Sequence, residues 1–187
     1  MTWLIMTLIV LGIPLLVVIF VISIYNRLQR KRIAVENAWS DIDVQLKRRH
    51  DLVPNLVNTV KGYAAHEKET LDAVIQARNS AANAGDVKQQ AGAENMLTQS
   101  LGKLFALAEA YPDLKANQNF MQLQEELTST ENKIGFARQH FNRNVSQYNE
   151  SLAVFPNNII AGMFNFEKRD FFEIEDPAHK EVPQVSF

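Results

Sequence analysis

The chain has no cysteine and contains only seven glycines and six prolines among its 187 residues. The missing cysteine excludes disulfides, thiol nucleophiles, cysteine-ligated metal sites and a lipidated N-terminal cysteine. Scarce glycine and proline favour long helices, because these two residues are the usual helix breakers. No segment alternates apolar and polar residues with a period of two. We therefore predict an all-α fold without a sheet.

The chain also lacks a large excess of charge of either sign, since it has 19 basic and 21 acidic residues and an isoelectric point near 6.1. This balance excludes a generally basic protein that coats nucleic acid, so we expect no nucleic-acid partner. The charges are distributed unevenly, and residues 1–26 contain no charged side chain. The start of the chain is therefore distinct from the rest.

This uncharged start has the length of a membrane-spanning helix. At 1.5 Å per residue, a helix over 3–25 is about 34 Å long, enough to cross a hydrocarbon core about 30 Å thick. Trp3 and Tyr25 lie at its two ends, where aromatic rings favour the membrane interface. A cleaved signal peptide would need a basic start and a small-residue cleavage site, and a buried core helix is the other alternative. We predict an uncleaved anchor over residues 1–26.

Basic residues on one flank predict the orientation of this anchor. They are Arg27, Arg30, Lys31 and Arg32. The positive-inside rule places residues 27–187 in the cytoplasm and the N-terminus outside. The same cations are expected to attract anionic lipid headgroups, so the bilayer is the first expected partner.

The anchor helix is expected to continue into the cytoplasm as a rigid stalk, because neither glycine nor proline occurs between Leu15 and Val53. From Val35 to Val60, apolar residues recur every three or four positions, which predicts a coiled-coil-like stripe. Pro54 lies inside this stripe and should kink the helix or interrupt it locally.

Similar stripes predict three more long helices, over 67–84, 87–110 and 116–152. Together with the stalk they would form an antiparallel cytoplasmic bundle over residues 27–172. Four helices are favoured over three. Three would result if no turn lay near Tyr63–His66.

Charged residues also occur on the apolar stripes, at Arg49, Arg78, Glu94, Glu131 and Arg138. An unpaired buried charge costs several kcal/mol, so we predict a structural network of arginines and glutamates that sets helix register. A ligand site inside the bundle is the functional alternative. Long side chains that reach solvent are the third possibility.

A search for catalytic motifs finds little. His66-Glu67 begins like the zinc-protease motif H-E-x-x-H, but Thr70 replaces the second histidine. No two histidines have metal-ligand spacing, and no glycine-rich phosphate motif occurs. We therefore expect no enzymatic activity, metal or cofactor, and we expect the histidines to be polar-face or capping residues.

The segment 155–172 is too apolar for an ordinary exposed tail. Its interface candidates are Ile159, Ile160, Met163, Phe164 and Phe166. The segment could cap the bundle core, touch the membrane or form a subunit interface. An even number of antiparallel helices would return it to the membrane near the basic flank. Residues 173–187 are expected to form a flexible acidic tail.

Three long segments resemble the LemA family of bacterial membrane proteins. They are AWSDIDVQLKRRHDLVPNLVNTVKGYAAHE (38–67), YPDLKANQNFMQLQEELTSTENKIGFARQHFNRNVSQYN (111–149) and FPNNIIAGMFNFEKRDFF (155–172). The resemblance implies a single-pass protein of the bacterial inner membrane with a helical bundle. It supplies no reaction and no catalytic residue. Family members often lie beside genes for membrane peptidases or envelope proteins, which implies a role in membrane-protein upkeep.

Three functions are compatible with these features. The leading hypothesis is a non-enzymatic, membrane-anchored scaffold or adaptor that forms homo-oligomers or binds a membrane protein. The second is an accessory or regulatory partner of an envelope protease or stress pathway, which rests on the family resemblance. The third is a ligand-binding helical bundle that uses the buried arginines.

Overall fold

A computed structural model of the protein describes residues 2–173, except for the side chains of residues 4–10. The described residues contain six helices and no strand. These are α1 (Thr2–Lys61), α2 (Lys68–Ala82), α3 (Val87–Ala108), α4 (Pro112–Lys115), α5 (Gln118–Ala153) and α6 (Asn157–Met163). The predicted all-α fold is confirmed for this part of the chain. The expected acidic tail lies outside the described residues beyond Glu173.

The apolar start and the predicted stalk form one helix of 60 residues, α1. It continues through Pro54, so the helix is not broken there. Proline removes a single backbone donor, and Pro54 is exposed while its neighbours Val53 and Leu56 are buried. Core packing on both sides of the proline therefore holds the helix together.

The part of α1 from Leu11 to Ile22 carries exposed apolar side chains on all sides of the helix. From Leu11 to Ile22, every large apolar side chain other than the half-buried Val21 is at least 51% exposed. Within the described residues, α1 is the one helix long and apolar enough to cross a membrane. A core helix of a soluble protein would be covered by other elements, whereas the described residues leave most of the segment from Leu11 to Ile22 exposed. The exposure fits a helix that lipid solvates.

The long helices agree with the bounds predicted from the apolar stripes. α2, α3 and α5 begin and end within two residues of 67–84, 87–110 and 116–152. The turn that separates four long helices from three is present, because α1 ends at Lys61 and α2 begins at Lys68. Two short helices, α4 and α6, were not predicted. Pro112 starts α4 at a position where proline's missing donor costs no hydrogen bond.

The chain divides into two compact units, and both α1 and α5 contribute to each of them. The first unit contains Met1–Ser40 and His140–Arg169, and the second contains Asp41–Gln139 and the residues from Asp170 onward. In the second unit, parts of α1 and α5 share one hydrophobic core with α2, α3 and α4. Fully buried members of this core are Leu56, Val74, Leu97, Leu104 and Leu114.

Hydrogen bonds join the two turn regions of the second unit. The Tyr111 hydroxyl donates to the Glu67 carboxylate at 3.0 Å, and the Asn117 amide donates to the Tyr63 hydroxyl at 2.9 Å. The hydrogen bond to Glu67 raises the pKa of Tyr111 above its ordinary value of 10.0. At the start of α3, Asp86 accepts a bond from the Gln89 backbone N–H at 2.8 Å. These bonds fix where the helices begin and end.

In the first unit, the chain runs back along α1 toward its apolar end. The Trp39 and Phe141 rings lie 5.4 Å apart, and the Lys31 Nζ donates to the Gln147 carbonyl at 3.0 Å. Further along the chain, the Arg27 guanidinium donates to the Asn157 side chain at 2.6 Å. As residue numbers rise in α5 and α6, the numbers of their α1 partners fall. Residues 157–166 therefore approach the end of the apolar segment.

Neighbouring residues in α3 provide a test of the second unit's core. Leu97 is 0% exposed, whereas Met96 is 58% exposed. Leu97→Ala should lower the free energy of unfolding by about 2–5 kcal/mol, because it leaves a cavity in the core. Met96→Ala should change it by less than about 0.5 kcal/mol. Denaturant unfolding of the full chain in mild detergent, followed by circular dichroism, measures both. Equal effects would contradict the assigned core.

Candidate functional site

A buried carboxylate organises a polar cluster in the core of the second unit. Glu94, on the apolar stripe of α3, is 1% exposed. One of its oxygens accepts a bond from the Arg49 guanidinium at 3.1 Å. The other lies 2.6 Å from the His50 Nε2 and accepts a bond from the Gln90 amide at 3.0 Å. Both oxygens are thus satisfied, as a buried carboxylate requires.

The guanidinium of Arg49 connects α1 to two other helices. Besides Glu94, its Nη2 reaches the Thr98 hydroxyl at 2.8 Å and the Glu131 carboxylate at 2.9 Å. Arg49 is buried, while Glu131 on α5 is half-buried. Planar guanidinium groups suit such multiple contacts, since their donors point in fixed directions. One side chain therefore links α1, α3 and α5.

Two of the five predicted network residues have different surroundings. Arg78 donates to the backbone carbonyl of His50 at 3.1 Å and to the Asn79 side chain at 3.3 Å, and it forms no ion pair with a described residue. Arg138 is half-buried and likewise forms no ion pair within residues 2–173. The ionic cluster therefore contains Arg49, Glu94 and Glu131, and Arg78 reaches it through the backbone of α1.

The residue that sequence reasoning missed is His50. The expectation that the histidines are polar-face or capping residues is wrong here, because His50 is buried and bonded to Glu94. The available signal was its spacing, since His50 lies four residues after Leu46 and three before Val53. Both neighbours are buried members of the α1 stripe. This spacing places the imidazole on the edge of the buried face.

A cavity of about 250 Å³ lies beside this cluster. Its lining combines apolar and polar side chains, including Arg49, Thr98, Phe105, Leu127 and Glu131. The Arg49 guanidinium is already bonded to three protein groups. Within the described residues, no group of three or more histidine, aspartate or glutamate side chains is arranged to hold a metal ion. The geometry of the cluster favours joining helices over binding a ligand.

A second candidate region lies in the first unit, where the apolar part of α1 ends. The Tyr25 ring packs edge-on against Phe164 and Phe166, with centroids 4.9 and 5.5 Å away. Arg27 and Lys31 bond to the neutral groups of Asn157 and Gln147. Aromatic and cationic side chains therefore meet at this end of the helix.

The remaining predicted interface residues are placed as follows. Arg32 pairs with Glu36 at 3.1 Å, whereas Arg30 is exposed and forms no ion pair with a described residue. At the far end of the apolar segment, Trp3 is exposed.

The five C-terminal interface candidates separate into two groups. Ile160 is buried and Phe166 is half-buried. Ile159, Met163 and Phe164 are exposed. One face of α6 thus packs on the unit, and its other face carries the exposed side chains of Ile159 and Met163.

Two glutamates on the same guanidinium provide a test of the polar cluster. Glu94→Gln should lower the free energy of unfolding by about 3 kcal/mol, because it leaves buried Arg49 with the half-exposed Glu131 as its remaining carboxylate partner. Glu131→Gln should cost less than about 1 kcal/mol, since solvent screens this carboxylate. Denaturant unfolding at neutral pH compares the two. A larger cost for Glu131→Gln would refute the assigned centre of the cluster.

Comparison with known proteins identifies related chains. A protein named LemA from Metamycoplasma hominis is 27% identical over 162 residues, which cover 86% of this chain and 71% of the relative. Magnetosome protein MamQ of Magnetospirillum gryphiswaldense is 24% identical over 84% of this chain and 64% of its own length. Magnetosome protein MamQ 2 of Paramagnetospirillum magneticum is 25% identical over 74% of this chain and 60% of its own length.

This chain thus spans less than two thirds of the two magnetosome proteins. The sequence profile of the LemA family matches residues 38–187, a range that includes the buried Arg49–Glu94–Glu131 cluster and α6. With its exposed apolar helix and its all-helical described part, the protein is a membrane-associated helical member of the LemA family.

Proposed function

We propose that the protein is a non-enzymatic scaffold, anchored in the bacterial inner membrane, that self-associates through an exposed face of α5. The observation that carries this proposal is a row of side chains with two large apolar members, Met121 and Phe136. Phe136 is 72% exposed. Large exposed aromatic side chains are enriched in surfaces that bind other proteins.

The exposed face has the spacing of a helix–helix interface. Met121, Glu125, Thr128, Asn132 and Phe136 follow one another at intervals of three or four residues. They form one open surface along α5, which also includes Gln124. Side chains at such intervals form one stripe on a helix, which suits packing against a second helix. The stripe is therefore the proposed contact between copies.

The membrane anchor makes weak contacts of this kind effective. Confinement to a bilayer raises the local concentration of copies, so a small interface can produce oligomers. The basic residues Arg27, Arg30, Lys31 and Arg32 support an orientation with the helical units in the cytoplasm. In this arrangement the helices following the anchor form the proposed cytoplasmic bundle.

Two other functions have weaker support. An adaptor that presents the α5 stripe to a different membrane protein, such as an envelope protease, uses the same surface and differs only in its occupant. A ligand-binding bundle would use the cavity beside Arg49, but that guanidinium is bonded to Glu94, Thr98 and Glu131. The contacts of Arg49 therefore weigh against a ligand in this cavity.

Substitution of the α5 stripe tests self-association. Phe136→Ser should shift the full chain from oligomers toward monomers, because it removes the largest apolar side chain of the stripe. Ile75→Ser, at an exposed apolar position on α2, should leave the oligomers unchanged. Native mass spectrometry in mild detergent, or cryo-EM in lipid nanodiscs, measures the distribution of species. A strictly monomeric unmodified chain in a native-like bilayer would refute the proposal.

Crosslinking in native membranes separates the scaffold from the adaptor. A cysteine at Gln124, which belongs to the open surface along α5, would be the sole thiol of the chain. Crosslinks between two copies support the scaffold. Crosslinks only to a different protein, lost in the Phe136→Ser background, support the adaptor instead.

A further inference from the structure

We propose that α6 and its flanking residues form a second contact with the bilayer that α1 crosses. The contact surface consists of five exposed apolar side chains, here called the α6 patch: Val154, Phe155, Ile159, Met163 and Phe164. This inference rests on the membrane anchorage in the proposed function and is independent of self-association. The α6 patch contacts lipid of the membrane leaflet in which the basic end of the anchor lies.

The position of the patch carries the argument. Ring packing holds Phe164 at 4.9 Å from Tyr25, and a hydrogen bond of 2.6 Å holds Asn157 on Arg27. Tyr25 lies three residues beyond Ile22, the last member of the exposed apolar segment of α1. Three residues of helix correspond to about 4.5 Å. Phe164 is therefore level with the membrane end of α1, and the exposed apolar surface continues from α1 onto the patch.

The two faces of α6 have opposite surroundings. Asn157, Ile160 and Ala161 are buried, so this face is used in packing. Ile159 and Met163 are four residues apart on α6 and form an exposed apolar row, in which Met163 is 67% exposed, and Phe155 is exposed in the turn before the helix. An amphipathic segment with this division, attached at the end of a membrane-spanning helix, lies at the boundary of headgroups and acyl chains. The row is on the uncovered face.

The charges beside the patch complement an anionic leaflet. Arg27, Arg30 and Lys31 line a cavity of about 190 Å³ together with the Asn144 and Gln147 side chains of α5. Arg27 and Lys31 bond to neutral acceptors, and Arg30 forms no ion pair with a described residue. Three positive charges thus remain without a carboxylate partner within residues 2–173. Lipid phosphates at the headgroup level match this arrangement.

Site-directed spin labelling of the full chain tests the proposal, because the native chain has no cysteine to remove. Three variants each carry one label: Met163→Cys in the patch, Leu16→Cys in the anchor and Ser146→Cys on an exposed site of α5. Each is placed in nanodiscs of equal parts phosphatidylcholine and phosphatidylglycerol. Collision rates with oxygen and with a water-soluble nickel chelate report the depth of each label.

The ratio of the oxygen collision rate to the nickel collision rate should be high, as in lipid, at Leu16 and low, as in water, at Ser146. The label at Met163 should lie about 5–10 Å inside the boundary of headgroups and acyl chains. A Met163 label as accessible to nickel as the Ser146 label overturns the inference while the anchor stands. A Leu16 label in water refutes the anchor and with it the proposed function.

Two further measurements identify the occupant of the patch. If the Met163 label is shielded from both reagents and its spectrum narrows on dilution with unlabelled protein, a second copy covers the patch and the inference is wrong. In the Met163→Cys background, Arg30→Gln should move the label toward water in anionic nanodiscs and not in pure phosphatidylcholine. If Arg30→Gln leaves the depth of the Met163 label unchanged in anionic nanodiscs as well as in pure phosphatidylcholine, the proposed role of the cations is wrong.

Discussion

The helix α1 makes its backbone hydrogen bonds internally, both in its exposed apolar part and in the part that packs in the core. Inside a bilayer there is no water to bond free N–H and C=O groups, so a spanning segment must make its hydrogen bonds internally. In this chain the same helix continues without interruption from Thr2 to Lys61. Within the first unit, the direction in which Val35 faces is therefore coupled to the direction of the apolar segment.

The Arg49–Glu94–His50 group contributes specificity that apolar packing alone does not. Leucine and valine stripes tolerate small changes of register, because many apolar contacts have similar energies. A carboxylate that is 1% exposed has no such tolerance, since a shift of one turn would leave it without Arg49 and His50. The cluster thus selects one register of α1 against α3, and Arg49 extends the same constraint to Glu131 on α5.

Three surfaces of the described chain expose large apolar side chains: residues 11–22 of α1, the α6 patch and the α5 stripe. Large exposed apolar patches often mark contact sites for lipid or for other proteins. Lipid is the natural solvent for the first surface, because it is apolar on all sides. The α6 patch adjoins it through the Tyr25–Phe164 contact, whereas the α5 stripe itself contains polar residues such as Glu125 and Asn132. This mixture of apolar and polar side chains suits a protein partner.

By itself the sequence determined the long helices and the apolar anchor, because hydrophobic periodicity and run length are local properties of the chain. The bounds of α2, α3 and α5 followed from it within two residues. Tertiary structure alone decided that Glu94 meets Arg49 and His50 while Arg138 forms no ion pair with a described carboxylate, and that Ile160 is buried beside exposed Ile159. Periodicity specifies which side of a helix a residue occupies. The distance to a residue on another helix depends on how the helices pack.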